Sequence, residues 1–167
     1  MGYLIYLIRS LDIAYYLTGI LLGIGCWVVL GQLEWKQRLA ASLLVTYVFL
    51  VLAVTVLARR PFNEFRILPP FWSYIEILRG HPKAYSYATE IVLNMLMLVP
   101  VGFLLPVLIK KNVILYGFLC SLCIEVFQLV TKRGYFEVND LLHNSIGVVA
   151  GYWLYRLVDR IAGKIKK

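Results

Sequence analysis

Charged side chains are scarce in this chain, and candidates for metal or nucleophilic chemistry are scarcer still. Of its 167 residues only 16% are charged, whereas 61% are hydrophobic. A soluble domain of that length has too little interior to hide so much apolar surface, so the composition excludes a water-soluble fold and predicts an integral membrane protein. The two histidines, His81 and His143, fall short of the three protein ligands that a catalytic zinc site uses, and no metal or cofactor is expected. The three cysteines, Cys26, Cys120 and Cys123, all lie in apolar stretches, where they pack as small hydrophobes, and the C-x-x-C of Cys120 and Cys123 sits inside a span, not in a redox context. No Gly/Ser linker, internal repeat or low-complexity run divides the chain. Arg9 and Asp12 interrupt the first apolar run, and no small-residue cleavage site follows, which argues against a removable signal.

What is present is a series of apolar runs. A bilayer core needs about 20 apolar residues per helix. Such runs predict spans at about Leu11 to Leu33, Leu39 to Ala58, Ala88 to Ile109, Val113 to Val130 and Leu141 to Val158. The expected fold is all-α: a multipass transmembrane bundle of about five helices, with residues 1–38 as an additional N-terminal segment and inner loop and residues 39–167 as the core. Pro100 cannot donate to the carbonyl of Leu96, so a kink is expected in the third span. The connection from Arg59 to Tyr87 holds Pro61, Pro69, Pro70 and Pro82, which exclude a long helix, while Phe71, Trp72 and Tyr74 suit the membrane interface. The net charge of +8 points to cytoplasmic loops and anionic lipid, not to nucleic acid. The basic tail (Arg156, Arg160, Lys164, Lys166, Lys167) and Lys110–Lys111 place the C-terminus in the cytoplasm.

Three spans each carry an acid and an amide one helical turn apart: Glu90 with Asn94, Glu125 with Gln128, and Asp140 with Asn144. An acid at the centre of a membrane helix costs roughly 2.5–3.5 kcal/mol on insertion scales, so such groups turn toward a bundle interior or a water-filled cavity. The span order puts all three pairs at similar depth beneath one face, under the arginines Arg59, Arg60, Arg66 and Arg133. Arginine over carboxylate forms charge-assisted, bidentate bonds. One reading makes this a network that locks the helices together. The preferred reading makes it an outward-opening polar pocket, since replacing purely structural ion pairs by apolar packing is often neutral or stabilising. Asp140 also serves as an N-cap or first-turn acid, a role Asn139 can share, and Gly147 and Gly151 serve close helix packing. Catalysis by Glu90 and Glu125 as general acid and base is the rival; no nucleophile is evident, because Ser145 and His143 lie two positions apart and face differently.

These residues, in this order, resemble the VanZ-like family, named after a teicoplanin-resistance protein. The segment Arg60 to Phe71 is similar to the family's Arg…Asn-Leu-x-Pro-Phe; Asn94, Pro100, Gly102 and Pro106 follow its second pattern; Glu125 and Gln128 its Glu-x-x-Gln; and Arg133, Asp140, Asn144, Gly147 and Gly151 its last. The likeness runs from about Leu39 to the C-terminus, with Asn63-Glu64-Phe65 before the prolines, Asn139 where many members carry an acid, and an added N-terminal span as departures. It implies a cell-envelope protein linked to lipoglycopeptide resistance; the lack of an evident nucleophile or metal motif favours a non-enzymatic role. The implied partners are the bilayer and, in the pocket, a lipid-linked cell-wall precursor, another envelope lipid, or the lipoglycopeptide. The ligand-binding set expected is Arg60, Asn63, Glu90, Asn94, Glu125, Gln128, Arg133, Asp140 and Asn144.

Overall fold

The computed structural model describes residues 11–61 and 66–165. They form a helical bundle: α1 (Ile13–Val29), α2 (Trp35–Leu52), α3 (Trp72–Leu78), α4 (Ala84–Met97), α5 (Val99–Leu108), α6 (Val113–Val130) and α7 (Val138–Ile165). Among these residues three helical stretches are long and apolar enough to cross a membrane: Trp35–Leu57, Ala84–Leu108 and Val113–Val130. The first helix, 17 residues long, is apolar throughout but shorter than the stretch expected from Leu11 to Leu33. The last helix runs for 28 residues, well beyond the expected Leu141 to Val158. Its first turns carry Asn139, Asp140, His143 and Asn144 and its last turns Arg156, Asp159 and Arg160, which is why it lacks a long apolar window.

The expected kink falls at Leu98, which caps both α4 and α5 and lies outside regular helix. Pro100 supplies no N–H to the preceding turn, and the freed region is re-tied from outside: the Tyr47 hydroxyl donates to the Met97 carbonyl at 2.7 Å. Leu98 itself is fully buried in a cluster with Val51, Val101, Ile124 and Val148. On either side of it the two half-helices have different neighbours. The second, α5, packs on α2 and α7, whereas α4 leans on α7 and α3 and diverges from α2. That divergence makes room for a cavity.

Glycine makes the tightest contact in the bundle possible. A Cβ on Gly147 would strike the Met95 carbonyl, and one on Gly151 the Val99 carbonyl, so α7 lies backbone to backbone against the α4–α5 break.

One departure from an all-α fold is a two-residue parallel ladder joining β1 (Ile67–Leu68) to β2 (Phe136–Glu137), in register Ile67 with Phe136 and Leu68 with Glu137. Two residues carry no readable alternation, so the sequence offers no signal for it. The ladder binds the proline-rich connection to the α6–α7 connection at one end of the bundle. A second departure is the π-helical turn Ala53–Leu57 that ends α2. The last carbonyls of a helix have no partner further along it, and here Arg133 donates to those of Val56 and Leu57.

Candidate functional site

A cavity of about 650 Å³ lies between α2 and α4, below the β1–β2 ladder. Part of its lining is apolar: Leu50 and Val51 from α2, Val54 from the π-turn, and Ile91, Leu93, Leu96 and Met97 from α4. Another part is polar. Glu90 and Asn94 reach it from α4, Glu125 and Gln128 from α6, and Asp140 from the first turn of α7. Helical spacing of three and four residues explains why each acid and its amide share a face. Asp140 thus holds both positions expected of it, as first-turn acid and as cavity wall.

The remaining expected residues are placed otherwise. Asn144 is fully buried one turn deeper, where its Nδ2 donates to Ser121 Oγ at 3.0 Å. Arg133 turns its guanidinium to the π-turn, donating to the carbonyls of Val56 (3.3 Å) and Leu57. Gln128, which also lines the cavity, donates from Nε2 to the Thr55 carbonyl at 3.5 Å. Arg60 is exposed and does not line the cavity; its neighbour Arg59 does. The chain leaves the π-turn at Ala58, so consecutive residues there point apart, and only the first of the two arginines faces inward. Asn63 lies outside the described residues.

Several groups that the acid–amide spacing did not single out complete the site. Glu125, 1% exposed, accepts the backbone N–H of Glu137 at 2.9 Å, so the carboxylate from α6 fixes the strand that leads into α7. The Glu137 side chain turns into the cavity and accepts from the Trp72 indole Nε1 at 2.9 Å. Its spacing of three from Asp140 was the available signal. Burial pushes the Glu137 carboxyl up to about 7, the nearby Asp140 carboxylate adds to the rise, and the indole hydrogen bond opposes it.

Asn139 is buried against the proline-rich connection: its Oδ1 accepts the Phe71 N–H at 2.7 Å and its Nδ2 donates to Ser73 Oγ at 3.1 Å. The first bond holds Phe71 at φ 62°, a left-handed conformation rare for a bulky residue. These contacts seat α3 as a short roof over the polar end. Trp72 closes it by packing edge-on to Tyr87, with ring centres 5.1 Å apart. His143, 2% exposed, also lines the cavity. Its Nε2 is 2.7 Å from the Tyr74 hydroxyl on the roof, while its Nδ1 lies 3.8 Å from Asp140 Oδ1 and has no hydrogen-bond partner.

Two other arrangements can be judged from this geometry. Ser145 donates to the Leu141 carbonyl within α7 at 2.6 Å, and so forms no nucleophile–histidine pair. Among the described residues no three His, Cys, Asp or Glu side chains are grouped so as to hold a metal ion.

The order of these residues along the chain, from the π-turn through the broken helix to the glycine contacts of α7, agrees with one family model. The VanZ/LLP1 model matches residues 20–159, most of the chain. The chain belongs to the VanZ/LLP1 family. Its membership covers part of α1 and all of the cavity-lining residues from α2 to α7, and stops short of the basic end of α7. Together with the apolar helices, membership in the VanZ/LLP1 family makes this a membrane protein. No curated protein and no solved structure matches the chain.

Proposed function

We propose that this VanZ/LLP1 protein binds an amphiphilic envelope ligand, placing its polar part among the carboxylates and its apolar part along the α2–α4 wall. The carrying observation is the mixed lining of one cavity: Glu90, Asn94, Glu125, Gln128 and Asp140 share it with seven aliphatic or thioether side chains from α2, its π-turn and α4. Sites that combine an apolar body with a few convergent polar groups are the usual form of a small-molecule pocket. The polar end opens to the extracytoplasmic face in this reading, because the basic end of α7 anchors the opposite side in the cytoplasm. A lipid-linked cell-wall precursor or a lipoglycopeptide has the required chemistry, which is how a resistance role follows.

Binding is favoured over catalysis by what the acids already do. Glu125 is engaged by a backbone N–H and Glu137 by an indole N–H, as groups that shape a pocket are. The test is mass spectrometry of lipids that co-purify with the wild type and with the double variant Glu125→Gln, Asp140→Asn. A lipid retained by the wild type and absent from a variant that still elutes as folded protein is expected. Identical lipid profiles from the two folded proteins would end the proposal.

A further inference from the structure

The charge balance of the cavity narrows the ligand. Among the described residues its lining includes four carboxyl groups, Glu90, Glu125, Glu137 and Asp140, against one guanidinium, Arg59. Carboxylates gathered away from water are stabilised by a cation among them. Arg59 supplies part of that, since its charge is felt at Glu137. A second observation lies beside Asp140. His143 is 2% exposed, yet its Nδ1, 3.8 Å from Asp140 Oδ1, has no hydrogen-bond partner. An ammonium seated beside them offers one N–H to the carboxylate and one to Nδ1, while Nε2–H donates to the Tyr74 hydroxyl. The edge-on Trp72 and Tyr87 rings border the same end and add an aromatic surface of the kind ammonium groups favour. Leu96 lines the apolar wall and is 59% exposed, so that wall is continuous with the lipid-facing surface of α4.

We propose that the cavity recognises a zwitterionic phospho-amine headgroup, its primary ammonium held by Asp140, His143 and Glu90 and its phosphate by Arg59, with the acyl chains lying along the α2–α4 wall. This rests on the reading of the cavity as an amphiphile site and adds the class of headgroup. A headgroup with phosphate but no amine satisfies only Arg59 and leaves the carboxylates uncompensated.

Isothermal titration calorimetry of the full chain in detergent, with three probes, tests this: a short-chain phosphatidylethanolamine, the matching phosphatidylglycerol, and water-soluble phosphoethanolamine. The expected result is phosphatidylethanolamine binding roughly tenfold or more tighter than phosphatidylglycerol, the difference one charge-assisted hydrogen bond makes. Glu90→Gln, whose carboxylate among the described residues accepts from Ser86 Oγ within its own helix, is expected to erase most of that preference. Asp140→Asn gives the same readout from α7, and thermal melts identify either variant that fails to fold. Equal affinity for the two lipids overturns the headgroup inference while leaving an amphiphile site standing. Binding of neither lipid overturns both. Phosphoethanolamine binding as tightly as the lipid supports the headgroup chemistry and assigns it to a soluble ligand.

Discussion

Glu137 makes the stability of this protein depend on pH in the direction opposite to an ordinary ion-paired acid. In the folded state its carboxyl is pushed up to about 7 from an ordinary value of 4.5, first by burial and then by Asp140, with Glu90 adding and Arg59 and the Trp72 indole opposing. A raised folded-state value means that the folded protein holds a proton that the unfolded chain has already lost. Stability is therefore fully present below about 4.5 and falls as pH rises through about 7. Every tenfold gain in proton affinity on folding is worth about 1.4 kcal/mol, so the rise to about 7 represents on the order of 3 kcal/mol. Screening of a carboxylate still partly reached by water reduces the observable share to about 1–2 kcal/mol.

Glu137→Gln isolates this contribution. The amide oxygen still accepts from Trp72 Nε1, but the side chain no longer titrates. In thermal melts in detergent from about pH 5 to about pH 8.5, the two proteins should differ least at the acid end. Above about pH 7 the variant should become the more stable, by about 1–2 kcal/mol, or roughly 2–8 °C in melting temperature for a chain of this size. A difference that does not change with pH, or a variant less stable than the wild type at about pH 8, refutes the reasoning.

Other parts of the structure yield equally direct expectations. Gly151→Ala would drive a methyl group into the Val99 carbonyl and should cost about 1–3 kcal/mol in melts, whereas Gly163→Ala, with open space around it, should be neutral or slightly stabilising. Tyr47→Phe removes the hydroxyl that holds the Met97 carbonyl at the break between α4 and α5; a loss of about 1 kcal/mol, with faster amide exchange around Leu98, is the expected readout. Arg133→Met removes the guanidinium that donates to the Val56 and Leu57 carbonyls, leaving Val56 only the Arg59 N–H among the described residues, and should destabilise by about 1–3 kcal/mol, visible as increased exchange across residues 53–57.

Much of the helical layout was legible because membrane helices announce themselves by length and apolarity, and a proline inside one announces a break. The acid–amide pairs were legible for a related reason: three and four residues make one helical turn, so spacing alone says which side chains share a face. Glu90, Asn94, Glu125, Gln128 and Asp140 accordingly meet at one cavity. The arginines were harder. Arg59 and Arg60 are adjacent, outside regular helix, and no periodicity says which one turns inward; Arg133 donates to carbonyls at the end of α2, a segment more than 70 residues away in sequence. Glu137 and Asn139 lie where strand becomes helix, and their partners Trp72, Phe71 and Ser73 are more than 60 residues away in sequence.

Composition and local spacing, then, were sufficient to specify a membrane-embedded helical chain whose acids must point inward, because the bilayer penalises any other arrangement. Folding in three dimensions settled the rest: which of those groups face open space, which are consumed by neighbouring backbone, and how a short roof closes over them. Those outcomes depend on contacts between distant segments, and a cavity exists here because α4, freed at Leu98, follows α7 and departs from α2.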